Sequence, residues 1–377
     1  MKQTVIPALS LLAVLVSPAA AQSVTEQTEK FGIAASVVAT GLAHPWGMDF
    51  LPDGAILVTE REGAMRIVRG GALSAPVAGL PDIAVAGQGG LLDVALAPDF
   101  ETTGEIFFTF SQPGPGGTGT ALARGVLEAW DTPAPRLESA ETVFSMNRKT
   151  SAGRHFGSRI VFAEDGTVFV TTGDRGDSDR AQDFADHAGA VIRINRDGSV
   201  PADNPFAGAA EAAPEIWSKG HRNIQGAALD PETGDLWTVE HGARGGDEIN
   251  RPQAGGNYGW PVISYGRHYS GASIGIGTEA PGFEQPEFYW DPSIAPSGLA
   301  VYDGAMFPEW KGDILVGALK YQLLARLDRD PGGAITGEER MLDGRFGRIR
   351  DVSVAPDGSL YLLTDDNPGS IVRVTRN

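Results

Sequence analysis

His155 and Asp174 flank a short hydrophobic hairpin that runs from Ser158 to Thr171 through a Glu164-Asp165-Gly166 turn. His155 lies ten residues before Asp165 and Asp174 nine residues after it, so antiparallel pairing returns both to one strand end. An imidazole beside a carboxylate is the arrangement of a general base. The carboxylate fixes the ring tautomer and supports its protonated form. On the hairpin alone, a hydrogen-bonded structural histidine accounts for His155 equally well.

The hairpin is one of a series. Strand, turn and strand recur at Met48–Glu60 about Pro52-Asp53-Gly54, at Asp93–Phe110 about Pro98-Asp99, and at Gly226–Glu240 about Pro231 to Gly234. A degenerate copy spans Leu299–Ala318, and a last one Val352–Asp365 turns at Pro356-Asp357-Gly358. Turns about 45 to 80 residues apart leave room for four strands per unit. The series predicts an all-β protein, a six-bladed propeller of four-stranded antiparallel blades, as a single domain over residues 22–377. The longest departure, Arg251 to Ile294, is rich in Gly, Tyr and Pro and reads as a functional loop.

If the turns share one face, the outer hairpin ends share the other. That rule gathers Gln88, His155, Asp174, Arg222, Asn223, His241, Lys320, Arg348, Arg350 and Asp365 at one mouth. Lys320, Arg348 and Arg350 suit a polyanionic small ligand, or else pair with carboxylates of neighbouring blades. His241 reads as structural or ligand-contacting. Gly242 to Asn250 and Gly255 to Pro261 are rich in glycine and oxygen ligands, so they offer a Ca²⁺ site, with Asp247 and Glu248 equally readable as solvated charges. Trp46, Trp260 and Trp290 read as blade packing, or one as a wall for a planar ring or sugar.

Composition narrows the partners. A net charge of -18 disfavours nucleic acid, and the absence of cysteine excludes disulfides, thiolate metal sites and a covalent haem motif. Residues 1–21 carry Lys2, an apolar run from Ile6 to Val16 and Ala19-Ala20-Ala21, an export signal cleaved near Ala21/Gln22. That run is too short to span a bilayer, and no other segment reaches transmembrane length. The mature chain is expected in the periplasm or outside the cell.

Several runs then carry a resemblance: His44-Pro45-Trp46-Gly47-Met48, Gly87 to Asp93, Gly220-His221-Arg222-Asn223-Ile224-Gln225-Gly226, Gly255 to Pro261, and Arg348-Ile349-Arg350-Asp351-Val352. Over Gly41 to Val374 the chain resembles the soluble pyrroloquinoline quinone (PQQ) dehydrogenases, in the aldose sugar dehydrogenase branch of the glucose/sorbosone dehydrogenase family. The resemblance implies PQQ at the propeller mouth with a bound Ca²⁺. It also implies oxidation of aldoses at C1 to aldonolactones and electrons passed to an external acceptor. It makes His155 the general base, Asp174 its orienting carboxylate, and Arg222 the group that polarises the quinone, with Asn223 beside it. Lys320, Arg348 and Arg350 would grip the PQQ carboxylates, and Gln88 would lie near substrate and quinone. His241 would contact the cofactor, although glucose-specific members carry Gln-Gly-Pro where this chain has His241-Gly242-Ala243. Carbonyls of Gly242 and Ala243 would hold the cofactor's Ca²⁺, while Glu248 and the Tyr258 carbonyl would hold a second one. Two other readings are a Ca²⁺-dependent lactonase-type hydrolase and a non-catalytic sugar-binding propeller.

Overall fold

The computed structural model describes residues 22–377, so the expected export signal lies outside the described residues. Five antiparallel sheets of four strands and one of five form the ring, and within each four-stranded sheet the strands follow chain order. The six-bladed propeller expected from the repeat is therefore the fold. The innermost strands, Pro45–Phe50, Leu91–Leu96, Ile160–Phe162, Ile224–Leu229, Pro296–Val301 and Ile349–Val354, touch their neighbours around the axis.

The recurring Asp-Gly pair has a local cause. In the third blade Asp165 accepts from the Thr167 amide at 2.9 Å and its hydroxyl at 2.7 Å, while Gly166 takes φ +84°. The aspartate closes the turn with its side chain, and glycine supplies the left-handed step a Cβ would resist. Asp53 and Asp357 bond the amides of Ala55 and Ser359 in the same way.

Alternating apolar residues of these strands pack face to face between blades. The largest cluster joins Phe31, Trp310, Tyr302, Leu324 and Leu360 across the last two blades. Truncating one such buried leucine to alanine costs about 2–5 kcal/mol.

The last blade departs from the expected four strands. Gly369–Arg376 pairs with Gly32–Leu42, which in turn pairs with Ser23–Gln27, so the first strands complete the sheet begun by the last. Between the inner strands the contacts include buried ion pairs. Arg159 bridges Asp93 at 3.0 Å and Asp351 at 2.8 Å, donates to the Gln225 carbonyl at 2.7 Å, and lies 4.4 Å over the Trp46 ring. One guanidinium thus ties together residues of five blades. Burial still pushes the Asp93 carboxyl up to about 7, even against Arg159.

Candidate active site

The two faces differ as the hairpin geometry requires. Pro52, Pro98, Asp99, Pro356 and Asp357 of the turns line a cavity of about 940 Å³ on one face. On the other, two adjoining cavities hold most of the residues singled out from sequence.

The first, about 400 Å³, is lined by Gln88, His155, Asp174, Arg222, Ala243 and Trp260, with Arg154, His268 and Tyr269 at its edge. His155 Nδ1 donates to Asp174 Oδ1 at 2.6 Å. Asp174 Oδ1 also accepts from the Gly176 amide at 2.6 Å, and its Oδ2 accepts from the Trp260 indole at 2.9 Å. The carboxylate is therefore held on both oxygens, which leaves Nε2 of the imidazole as the acceptor. His155 itself takes φ +55°, its amide donating to Gln88 Oε1 at 2.8 Å. Its carbonyl lies where a Cβ on Gly173 would come within 2.3 Å, so only glycine fits opposite.

Burial pushes the His155 imidazole below the usual histidine range, outweighing the Asp174 bond and charge, and Arg222 and Arg154 push the same way. Burial works against the Asp174 anion, yet His155, the Gly176 amide and Arg222 hold its carboxyl below the usual range. At neutral pH the pair is a neutral imidazole on an ionised carboxylate. That is the charge state of a base ready to accept a proton.

The second cavity, about 160 Å³, is lined by Arg61, Asn223, His241, Arg348, Arg350 and Asp365, among others, and shares Gln88 with the first. Arg350 donates to Gln225 Oε1 at 2.9 Å and pairs with Asp365 at 2.8 Å, but its Nε is buried without a partner. Arg348 reaches the same Asp365 at 3.3 Å, and His44 approaches it at 3.0 Å. Burial favours the neutral form of Asp365, but the guanidiniums of Arg350 and Arg348 hold it far below the carboxylate range. One carboxylate thus serves two guanidiniums and an imidazole. Burial, then Arg222, pushes the His241 ring down to about 3 even as Nε2 bonds the Pro296 carbonyl at 2.5 Å.

Lys320 stands apart. It is exposed at the rim, its Nζ donating to the Ser293 carbonyl at 3.1 Å, and it lines neither cavity. Arg61 is an addition that directly follows the first hairpin, so the rule of aligned strand ends yields it. Trp260, read from sequence as blade packing or a wall for a ring, lines the first cavity and also grips Asp174 through its indole. No spacing signals that contact, since it joins the long loop to a different blade.

Gly242, Glu248 and Tyr258 meet Glu240 around a void of about 10 Å³. Asn250 Nδ2 bridges Glu240 at 3.0 Å and Glu248 at 3.3 Å, and Asn250 Oδ1 is buried without a partner. Burial and the Glu240 charge push Glu248 well above the carboxylate range. Asp247 is not a solvated charge either. Buried, it accepts from the Gly242 amide and the Ser293 hydroxyl and so staples the loop. Among the described residues, no three His, Asp or Glu side chains are grouped to hold a metal.

With this geometry in place, the chain can be set beside known proteins. The model of the glucose/sorbosone dehydrogenase family matches residues 42–373. Aldose sugar dehydrogenase YliI of Escherichia coli (strain K12) is 43% identical over 339 residues, covering 89% of this chain and 90% of its own. The crystal structure of the E. coli soluble aldose sugar dehydrogenase in its apo form superposes with a TM-score of 0.88 at 42% identity, covering 92% of this chain and 100% of that one. The PQQ-bound aldose sugar dehydrogenase of Streptomyces coelicolor gives 0.75 at 27% identity, with 96% and 99% covered.

Proposed function

The chain belongs to the glucose/sorbosone dehydrogenase family, and from that premise we propose that it oxidises aldose sugars at C1 to aldonolactones, using PQQ and Ca²⁺. The observation that carries the reading is the His155–Asp174 pair, which opens on a cavity adjoining a second one lined by cations. When bound, PQQ would supply the hydride acceptor and a Ca²⁺ ion the Lewis acidity that makes it more electrophilic.

The residues present suit those groups. Arg350 keeps an unpartnered Nε beside Arg348 and Arg61, so the second cavity has surplus positive charge for a small polycarboxylate. Arg350 and Arg348 would hold the carboxylates, with Asn223 and His241 along the wall and Lys320 reaching from the rim. The Ala243 carbonyl, and the Gly242 carbonyl once released from the Arg222 guanidinium it accepts from, would supply oxygen ligands for a cofactor Ca²⁺. The crowded Glu240 and Glu248, with the orphaned Asn250 oxygen, suit a second cation near the Tyr258 carbonyl.

This chain's own residues then do the following. The 400 Å³ cavity admits the sugar beside Gln88. His155 Nε2 takes the C1 hydroxyl proton, and Asp174 holds the resulting imidazolium through Nδ1. Arg222 would stabilise the negative charge that develops on the quinone oxygen set beside its guanidinium. A Ca²⁺-centred lactonase needs several acidic and Asn side chains converging on a central ion, whereas the mouth cavities collect Arg61, Arg222, Arg348, Arg350 and His155. Export to the periplasm and electron transfer to a separate acceptor belong to the same proposal.

The test mixes the protein with PQQ, Ca²⁺ and a panel of aldoses and follows reduction of an electron-accepting dye. His155→Gln is expected to lower kcat by about 10²–10⁴-fold with PQQ binding retained. Activity should fall on the acid side as His155 protonates, at a pH below the usual histidine value. No dye reduction with any sugar, and no spectral sign of bound PQQ, sinks the proposal.

A further inference from the structure

We propose that Arg175 is a positioning residue that locks the backbone on both sides of His155; this rests on the reading of His155 as the base. Arg175 directly follows Asp174 in the chain and is 1% exposed. One Nη donates to the carbonyl of Arg154, the residue before His155. The other donates to the Ala152 carbonyl and, at 3.2 Å, to the Thr118 hydroxyl. The guanidinium carbon lies 3.4 Å from the ring centroid of Phe156, the residue after His155. The planar fork therefore holds the chain ahead of the histidine while its face holds the side chain behind it.

Two features set this arginine apart from a packing residue. His155 and Arg175 both adopt left-handed backbone, at φ +55° and +58°. Each such conformation costs on the order of 1–3 kcal/mol, so surrounding contacts must impose it. Further, Arg175 forms no ion pair among the described residues, and its Nε is buried without a partner. A buried guanidinium left without a carboxylate is costly for stability alone. Burial has pushed it down to about 10. What the cost secures is geometry: Asp174 sets the ring through Nδ1, and the next residue sets the main chain that carries the ring. Nε2 is then aimed into the sugar cavity from two directions. A misplacement of about 1 Å at such a group costs about 10²-fold in rate. Lysine keeps the charge and most of the length but has no flat fork to span two carbonyls and cover a ring.

The experiment compares Arg175→Lys and Phe156→Leu with the parent in the PQQ- and Ca²⁺-loaded enzyme. It also titrates His155 by ¹⁵N NMR in the protein without cofactor. Arg175→Lys should lower kcat by about 10–100-fold with the aldose KM within about twofold, and should move the His155 titration up toward the ordinary range. Asp174, Arg222 and Arg154 face the imidazole in both proteins, so an upward move reports relaxed burial of the ring. Phe156→Leu, which keeps the fork and removes the platform, should shift both readouts the same way by less. Unchanged kcat and an unmoved titration overturn the inference. So does a loss of kcat that only tracks the lost folded fraction while the remainder titrates as the parent does. If His155→Gln leaves turnover intact, the base reading fails. If it abolishes turnover while Arg175→Lys behaves as the parent, the positioning role alone fails.

Discussion

Two buried arginines on adjacent blades, Arg326 and Arg350, show how charge balance separates a scaffold from a binding group. Arg326, in the fifth blade, is fully buried and meets Asp313 at 2.6 Å, Glu339 at 2.8 Å and Glu29 at 3.2 Å, with Asp328 also in contact. Its guanidinium is held above even the usual arginine value by these carboxylates, which outweigh burial. Arg350, 7% exposed at the mouth, shares one carboxylate with Arg348 and His44, and burial pushes it below the usual arginine value. Arg326 has more negative charge than it needs, and Arg350 has less. Burial is similar, so the missing counter-charge, not the depth, marks the site where an anion would be welcome.

The comparison breaks most sharply at Arg326. Arg326→Gln leaves four acidic groups facing one another and should cost about 3–5 kcal/mol, lowering Tm by roughly 5 °C while PQQ affinity in the folded protein is unchanged. Arg350→Gln should do the reverse. PQQ Kd, read by spectral titration, should weaken about 10–100-fold, equivalent to about 1.4–3 kcal/mol, with Tm near the parent value because Arg348 and His44 still serve Asp365. If both variants lose only stability, the distinction between the arginines fails.

His241 gives the smallest and most local reading. Its folded pKa of about 3 lies below the unfolded value near 6.5, so the unfolded state binds more protons between those values and stability falls as pH falls through that window. His241→Gln should flatten this loss by about 1–2 kcal/mol at pH 5, measured by urea unfolding across pH. Because Arg350 contributes to the depression, Arg350→Gln should also move the His241 titration upward.

The blade repeat was legible because Asp-Gly turns are local chemistry: Asp165 bonds the amide two residues on, whatever surrounds it. The His155–Asp174 meeting was legible for the same reason, since one hairpin carries both. Contacts made between blades left no such trace. Trp260 reaches Asp174 across 86 residues. Asp365 was placed at the mouth by the strand rule, but its threefold sharing depends on the ring closing between His44 and Arg348. Lys320 obeys the strand rule yet ends exposed at the rim, because strand ends fix a residue's height and leave its side chain's direction to packing. The extra strand of the last blade was missed since nothing in Ser23–Gln27 resembles a turn-bounded hairpin.

The two N-terminal strands of that blade give the molecule a temporal constraint. Ser370 meets Thr40, and Thr375 meets Ala34, across 330 and 341 residues, so five blades can be made while the sixth lacks its outer half. A ribosome must finish the chain before its beginning has a partner, and joining ends that far apart costs about 5 kcal/mol of loop entropy at once. The ring is closed by its two extremities together, and the part of the mouth built on Asp365 and His44, which lie on either side of that seam, is complete only when they pair.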